Sequence, residues 1–163
     1  MSKKIWVAGH HGFCAGVKNA VNVLDMTVEN FDNVFCLHAL VHNPFVVNSF
    51  KEKGVVFVED IEEVPDNSVI VFSAHGISPK IREKANMKNL RVIDATCALV
   101  NVVHEKVRDY FKRGFDIIYV GKKGHIEVEG VLGEAPINII SSKSDIENIM
   151  IDNNNNNNNN NNR

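Results

Sequence analysis

Long hydrophobic runs are missing from this chain. No stretch of about 18 consecutive apolar residues occurs, so no transmembrane helix is expected. Cysteine is scarce: three residues in 163, an odd number at wide spacing. A secreted disulfide framework uses an even set in a compact pattern, so a reducing, cytoplasmic compartment is the expectation. Charge of one sign is lacking as well. The 18 Lys and Arg are interleaved with 20 Asp and Glu for a formal net charge of −2. That excludes the clustered basic face of a nucleic-acid binder, though two or three local donors still suffice for one phosphate. No apolar signal segment opens the chain, because Met1-Ser2-Lys3-Lys4-Ile5-Trp6 leads straight into a strand-like run.

What is present is enough for a core, with 44% apolar residues. The run Asn153 to Asn162 has no apolar side chain to bury, so residues 152–163 are expected to form a disordered low-complexity tail. Upstream, short apolar runs alternate with helical periodicity. Ile5–Ala8, Val34–Leu37, Val55–Val58, Val69–Ala74, Leu90–Ala95, Phe115–Val120 and Ile137–Ile140 read as strands. Val17, Ala20, Val21, Leu24 and Val28 recur at helical spacing, and Pro44–Lys51 reads as a second helix. Asp60–Glu63 fits one helical turn. Ser78-Pro79 is an N-cap followed by proline at the first helical position. Val100, Val103, Val107, Tyr110 and Phe111 mark a further helix face, and Ser144-Asp145 opens a last short helix. Alternation of this kind predicts an α/β fold with mostly parallel sheets and flanking helices.

The reactive residues fall at matching places. Cys14, His42, His75, Cys97 and His125 each follow a predicted strand. In open parallel sheets the loops at that edge converge on one crevice where ligands bind. Glycines crowd the same loops: Gly12 and Gly16 beside Cys14, Gly76 after His75, and Gly121, Gly124 and Gly130 around His125. Those loops lead into helix starts, whose free N–H groups favour anions. An anion site beside a thiolate site is the chemistry implied.

Taken singly, each residue has a plainer reading. A lone cysteine is most often a small hydrophobe, which suits Cys36 inside a strand. His38 and His104 are read as structural, and His10-His11 as a weak metal pair at best. A structural zinc site wants a close C-x₂₋₄-C pair, which is absent. Single cysteines from separate loops suit an iron–sulfur cluster, and a Cys14–Cys97 redox disulfide or a zinc module stays open.

His11-Gly12-Phe13-Cys14-Ala15-Gly16-Val17 resembles the R-G-F-C-A-G-V signature of the LytB family, the 4-hydroxy-3-methylbut-2-enyl diphosphate reductases. Val41-His42-Asn43, Phe72-Ser73-Ala74-His75-Gly76, Asp94-Ala95-Thr96-Cys97 and Gly124-His125-x-Glu127-Val128-Glu129-Gly130 resemble further family motifs, in the family's order. The resemblance covers Lys4 to about Ile151, with His11 in place of the usual Arg and Ala98 in place of the usual Pro.

The resemblance implies an oxygen-sensitive [4Fe–4S] cluster held by three cysteines, with Cys14 and Cys97 as two of the ligands. It implies reductive removal of the substrate's 4-hydroxyl, giving isopentenyl and dimethylallyl diphosphate at the end of the non-mevalonate isoprenoid route. His42, His75 and His125 resemble the diphosphate or substrate ligands, and Glu127 the proton source. The partners implied are an allylic diphosphate and an electron donor such as ferredoxin or flavodoxin, with no nucleic acid and no membrane. The family is built of three similar lobes. Residues 1–96 correspond to the first and residues 97–151 to most of the second. The third cysteine, a substrate-contacting Thr and a Ser-x-Asn group lie beyond residue 151 in the family. The expectation is therefore a truncated chain inactive by itself; the alternative is a non-catalytic α/β fragment with residual anion or metal binding.

Overall fold

The structure is a computed structural model that describes residues 3–9 and 11–147. It opens with helix α1 (Ala15–Asn30), strand β1 (Val34–Leu37), helix α2 (Pro44–Glu52) and strand β2 (Val56–Val58). A single 3-10 turn (Ile61–Glu63), strand β3 (Val69–Phe72), helix α3 (Pro79–Met87) and strand β4 (Arg91–Asp94) follow. The four strands form one parallel sheet in the order β2-β1-β3-β4.

The period of two along each strand distributes the apolar runs to both faces. Val71 of β3 joins Cys36, Ala20, Leu24 and Phe50 in a core beneath α1 and α2. Its neighbours Ile70 and Phe72 turn the other way, onto Ala85 of α3, Ile61 and Val64. A strand covered on both faces is apolar at every position, which is why Val69–Phe72 reads as a continuous run. Caps set the helix starts. Ser78 Oγ accepts from the Ile81 N–H ahead of Pro79, and Asp60 and Glu63 close a reciprocal capping box around the 3-10 turn.

The remainder is thinner. Helix α4 (Ala98–Lys112), strand β5 (Ile118–Val120), helix α5 (Ile126–Leu132) and strand β6 (Asn138–Ile140) build a two-stranded parallel sheet over a small core. Val107, Val131 and Ala135 form its centre, flanked by Val103, Ile117, Tyr119 and Ile137. No helix among the described residues is long and apolar enough to cross a membrane. The α/β class with parallel sheets and flanking helices stands as expected.

Several local readings are corrected. Ile5–Ala8 is not a strand: Ile5, Trp6 and Val7 are 85%, 83% and 73% exposed and pair with none of the six strands. An apolar run becomes a strand only when a neighbouring chain completes its hydrogen bonds, and none does so among the described residues. Tyr110 and Phe111 are exposed rather than part of the buried face of α4. The small core ends at Val107, and Tyr110 instead packs edge-on against Phe115, outside β5. Gly130 lies inside helix α5, not in the loop around His125. The last helical residues begin at Lys143, one place before Ser144, where Asp145 accepts from the N–H groups of Ser141 and Ser142. The Asn-rich segment and His10 lie outside the described residues.

Candidate functional site

Cys14 is the N-cap of α1, and its sulfur accepts from the Val17 N–H at 3.5 Å. Cys97 is the N-cap of α4, held by its own N–H donating to the Ala74 carbonyl. Each cysteine thus sits at the positive end of a helix dipole, which complements a thiolate's charge, although only the Cys14 sulfur makes a capping bond. Gly16 shows how closely they converge. A Cβ built on Gly16 would stand 2.5 Å from Cys97 Sγ and 3.9 Å from Cys14 Sγ. A side chain at this position would have to displace the Cys97 sulfur, so glycine leaves the two sulfurs room to converge.

The loop bearing Cys97 is fastened by the residue that opens its motif. Asp94 Oδ1 accepts from the Thr96 N–H at 2.9 Å, and Asp94 Oδ2 from Arg82 at 2.7 Å. Burial pushes the Asp94 carboxyl up, yet the bonds from Thr96 and Arg82 outweigh it, so the group sits below the ordinary carboxylate range.

Three histidines come from three separate segments. His42 precedes α2, whose N-cap Asn43 accepts from the N–H groups of Phe45 and Val46. His75 follows β3, with Nδ1 3.2 Å from the buried Ser73 hydroxyl. His125 is the N-cap of α5, and its Nδ1 accepts from the Glu127 N–H. Their rings gather: His42 lies 4.4 Å from His75 and 5.1 Å from His125 between centroids, and His75 lies 6.0 Å from His125. Burial pushes His75 down to about 4, and the neighbouring His42, His125 and His38 add to the effect.

A cavity of about 380 Å³ joins the two sets. Cys14, Gly16, Cys97, His42, His75 and Glu127 all line it. Glu127 enters from the first turn of α5. The Tyr119 phenol is pushed up by burial, and also by the charge of Glu127 and a hydrogen bond with it. Five of the six expected site residues therefore line one cavity, and His125 joins them through His42. Among the described residues no group of three or more His, Cys, Asp or Glu side chains is placed to hold a metal ion. Two thiols on helix N-termini, opening on a shared cavity, fit part of an iron–sulfur ligand set and are not a full one.

The remaining readings divide. Cys36 is fully buried, its thiol pushed up by burial to about 12, and is structural as expected. His38 is paired with Glu59 at 2.9 Å, away from the cavity. His11 is exposed, bonded through Nδ1 to the Ala8 carbonyl. The structural work of Asn43, Asp94 and Ser73 was visible in sequence only as motif letters, and Tyr119 carried no signal.

The family described as LytB protein matches residues 5–160. The 4-hydroxy-3-methylbut-2-enyl diphosphate reductase of Rhodopirellula baltica is 47% identical over 149 residues, covering 90% of this chain and 47% of the relative. The enzyme of the same name from Chlamydia trachomatis serovar D is 43% identical over 148 residues, covering 89% and 48%. The solved structure of the E-1-hydroxy-2-methyl-but-2-enyl-4-diphosphate reductase from Plasmodium falciparum superposes with a TM-score of 0.83 at 41% identity, covering 85% of this chain and 45% of that one. The chain spans about half the length of the relatives it matches. On its sequence, its fold and its paired cysteine loops, the chain belongs to the LytB protein family.

Proposed function

We propose that this chain supplies part of an iron–sulfur reductase acting on 4-hydroxy-3-methylbut-2-enyl diphosphate to give isopentenyl and dimethylallyl diphosphate. The observation that carries this reading is the single cavity shared by Cys14, Cys97, His42, His75 and Glu127. The names of the relatives support the reaction class.

Cys14 and Cys97 would provide two thiolate ligands of a [4Fe–4S] cluster. Such a cluster, when bound, supplies electrons and a Lewis-acidic iron to the reaction. The third thiolate and further substrate contacts are expected in the half of the relatives' length that this chain does not span. His42, His75 and His125 would hold the diphosphate. A diphosphate beside His75 would set an anion against the burial and the neighbouring rings that lower its pKa, which favours proton uptake on binding. Glu127 would donate the proton that lets the hydroxyl leave as water, from a carboxyl held near Tyr119 and next to the cavity. Residues 1–96 and 97–151 would form the first lobe and part of the second. A small electron-transfer protein, a ferredoxin or flavodoxin, is the proposed donor in a cytoplasmic setting.

Anaerobic reconstitution with iron and sulfide tests the cluster. A brown protein with broad absorption in the blue, lost in Cys14→Ser and in Cys97→Ser, is the expected result. Stoichiometric zinc with no colour, or colour that survives both substitutions, would overturn it.

A further inference from the structure

His104 lies on α4, away from both cysteines, and is 95% removed from solvent at 5% exposure. Its Nδ1 is 2.7 Å from Glu134 Oε1, and Arg108, one turn along the same helix, donates to that oxygen at 2.8 Å. Glu134 is itself buried, with 3% of its side chain exposed. A buried carboxylate needs such partners, and in return it holds the imidazole in one orientation. The far edge of the ring is wedged between two glycines. His104 Nε2 stands 3.1 Å from where a Cβ of Gly76 would lie, and Cε1 stands 3.3 Å from that of Gly130.

Those glycines belong to the two segments that carry the histidine cluster. Gly76 directly follows His75, at a φ of +77° that glycine adopts without strain. Gly130 lies one turn of α5 beyond Glu127. The ring therefore spans the distance between the His75 loop, attached to the four-stranded sheet, and the helix that presents His125 and Glu127. His104 Nε2 has no hydrogen-bond partner among the described residues, and neither does Glu134 Oε2. A buried polar ring retained at a contact that an apolar side chain would fill without an orphaned nitrogen points to a demand for defined orientation.

We propose that His104, oriented by Glu134, is a positioning residue that sets the spacing of His75 from His125 and Glu127. It touches none of them and acts through Gly76 and Gly130. The proposal rests on the reading of the three histidines as a diphosphate site.

Inorganic pyrophosphate is the probe, with its affinity measured by calorimetry well below the unfolding temperature and folding checked by circular dichroism. His104→Ala and Glu134→Gln should each weaken binding about tenfold, the scale at which sub-ångström misplacement acts. Gly130→Ala, which presses a methyl on the ring, should weaken it too. The double variant His104→Ala with Gly130→Ala should recover part of the loss, because the methyl occupies space that the ring vacates. Where His104→Ala does not fold, His104→Asn keeps a donor for Glu134 but lacks the ring edge, and the same weakening is expected. A purely structural residue would lower the unfolding temperature and leave pyrophosphate affinity unchanged. That result, alongside lost binding in His42→Ala, would overturn the positioning role alone. Unchanged affinity in His42→Ala as well would overturn the diphosphate reading, and the positioning role with it.

Discussion

The Nε2 atoms of His42 and His125 stand 3.0 Å apart, although the two residues are 83 positions apart in the chain. Two nitrogens at that distance share one proton. His125 Nδ1 is occupied by the Glu127 N–H, so in the neutral ring the proton sits on His125 Nε2 and points at His42. The two rings are therefore linked to each other and to the backbone of the helix bearing Glu127.

That assignment is open to measurement. Nitrogen-15 spectra of the free protein at neutral pH should show His125 as the Nε2–H tautomer. Adding pyrophosphate should move the ring-nitrogen resonances of both His42 and His125, because each ring then faces the anion in place of the other. An Nδ1–H tautomer for His125 in the free protein would contradict the Glu127 N–H contact.

His75 gives a pH dependence with a definite sign. Its pKa falls from an ordinary 6.5 to about 4 in the folded chain. Between those values the unfolded chain binds the extra proton, so stability rises with pH across this window. Above about pH 6.5 the group costs nothing, and below about pH 4 the full penalty of roughly 3 kcal/mol applies. His75→Gln should flatten the curve of unfolding free energy between these pH values. An unaltered slope would show that another group titrates there.

Gly16→Ala should be severe for its size. The added methyl would meet Cys97 Sγ at 2.5 Å. Overpacking of this kind costs about 1–3 kcal/mol. The chain should still fold, with a reduced unfolding temperature, but fail to become brown on anaerobic reconstitution. Normal colour in Gly16→Ala would mean that the two sulfurs do not need to face each other across this glycine.

Asn43 isolates the contribution of a cap. Its Oδ1 accepts from two free N–H groups of α2. Asn43→Ala should cost about 1 kcal/mol in chemical denaturation. It should also weaken pyrophosphate binding, because His42 is the residue before the cap. Asn43→Ser or Asn43→Asp should recover most of the stability.

Glu127→Gln separates proton donation from site assembly. If Glu127 is the proposed proton source of a complete reductase, the substitution should leave cluster colour intact and abolish turnover, since the amide keeps the shape of the carboxyl but yields no proton. Near-normal turnover would remove Glu127 from that role.

How much of this was legible in the chain follows from the range of the forces involved. Caps and burial periodicity act within a few residues, so Ser78-Pro79, the Asp60 turn and the two-faced strand Val69–Phe72 were readable directly. The loops carrying His42, His75, Cys97 and His125 were readable as candidates because strand ends and motif order are linear features, whereas Cys14, with no strand before it among the described residues, was readable from its motif alone. The Ile5–Ala8 run departs from its expected strand for the complementary reason: apolar character is local, but strand formation requires a partner that the run itself does not contain.

By itself, then, the sequence determined an α/β chain with two candidate cysteines, three candidate histidines and one candidate carboxyl, and its motifs named the family. Only the tertiary structure decided which of them meet. Cys97 reaches Gly16, His125 reaches His42, and His104 is wedged between Gly76 and Gly130, each across dozens of intervening residues. The physical reason is the same in each case. Such contacts are fixed by the packing of whole helices and sheets, and no periodicity within one segment encodes the distance to another.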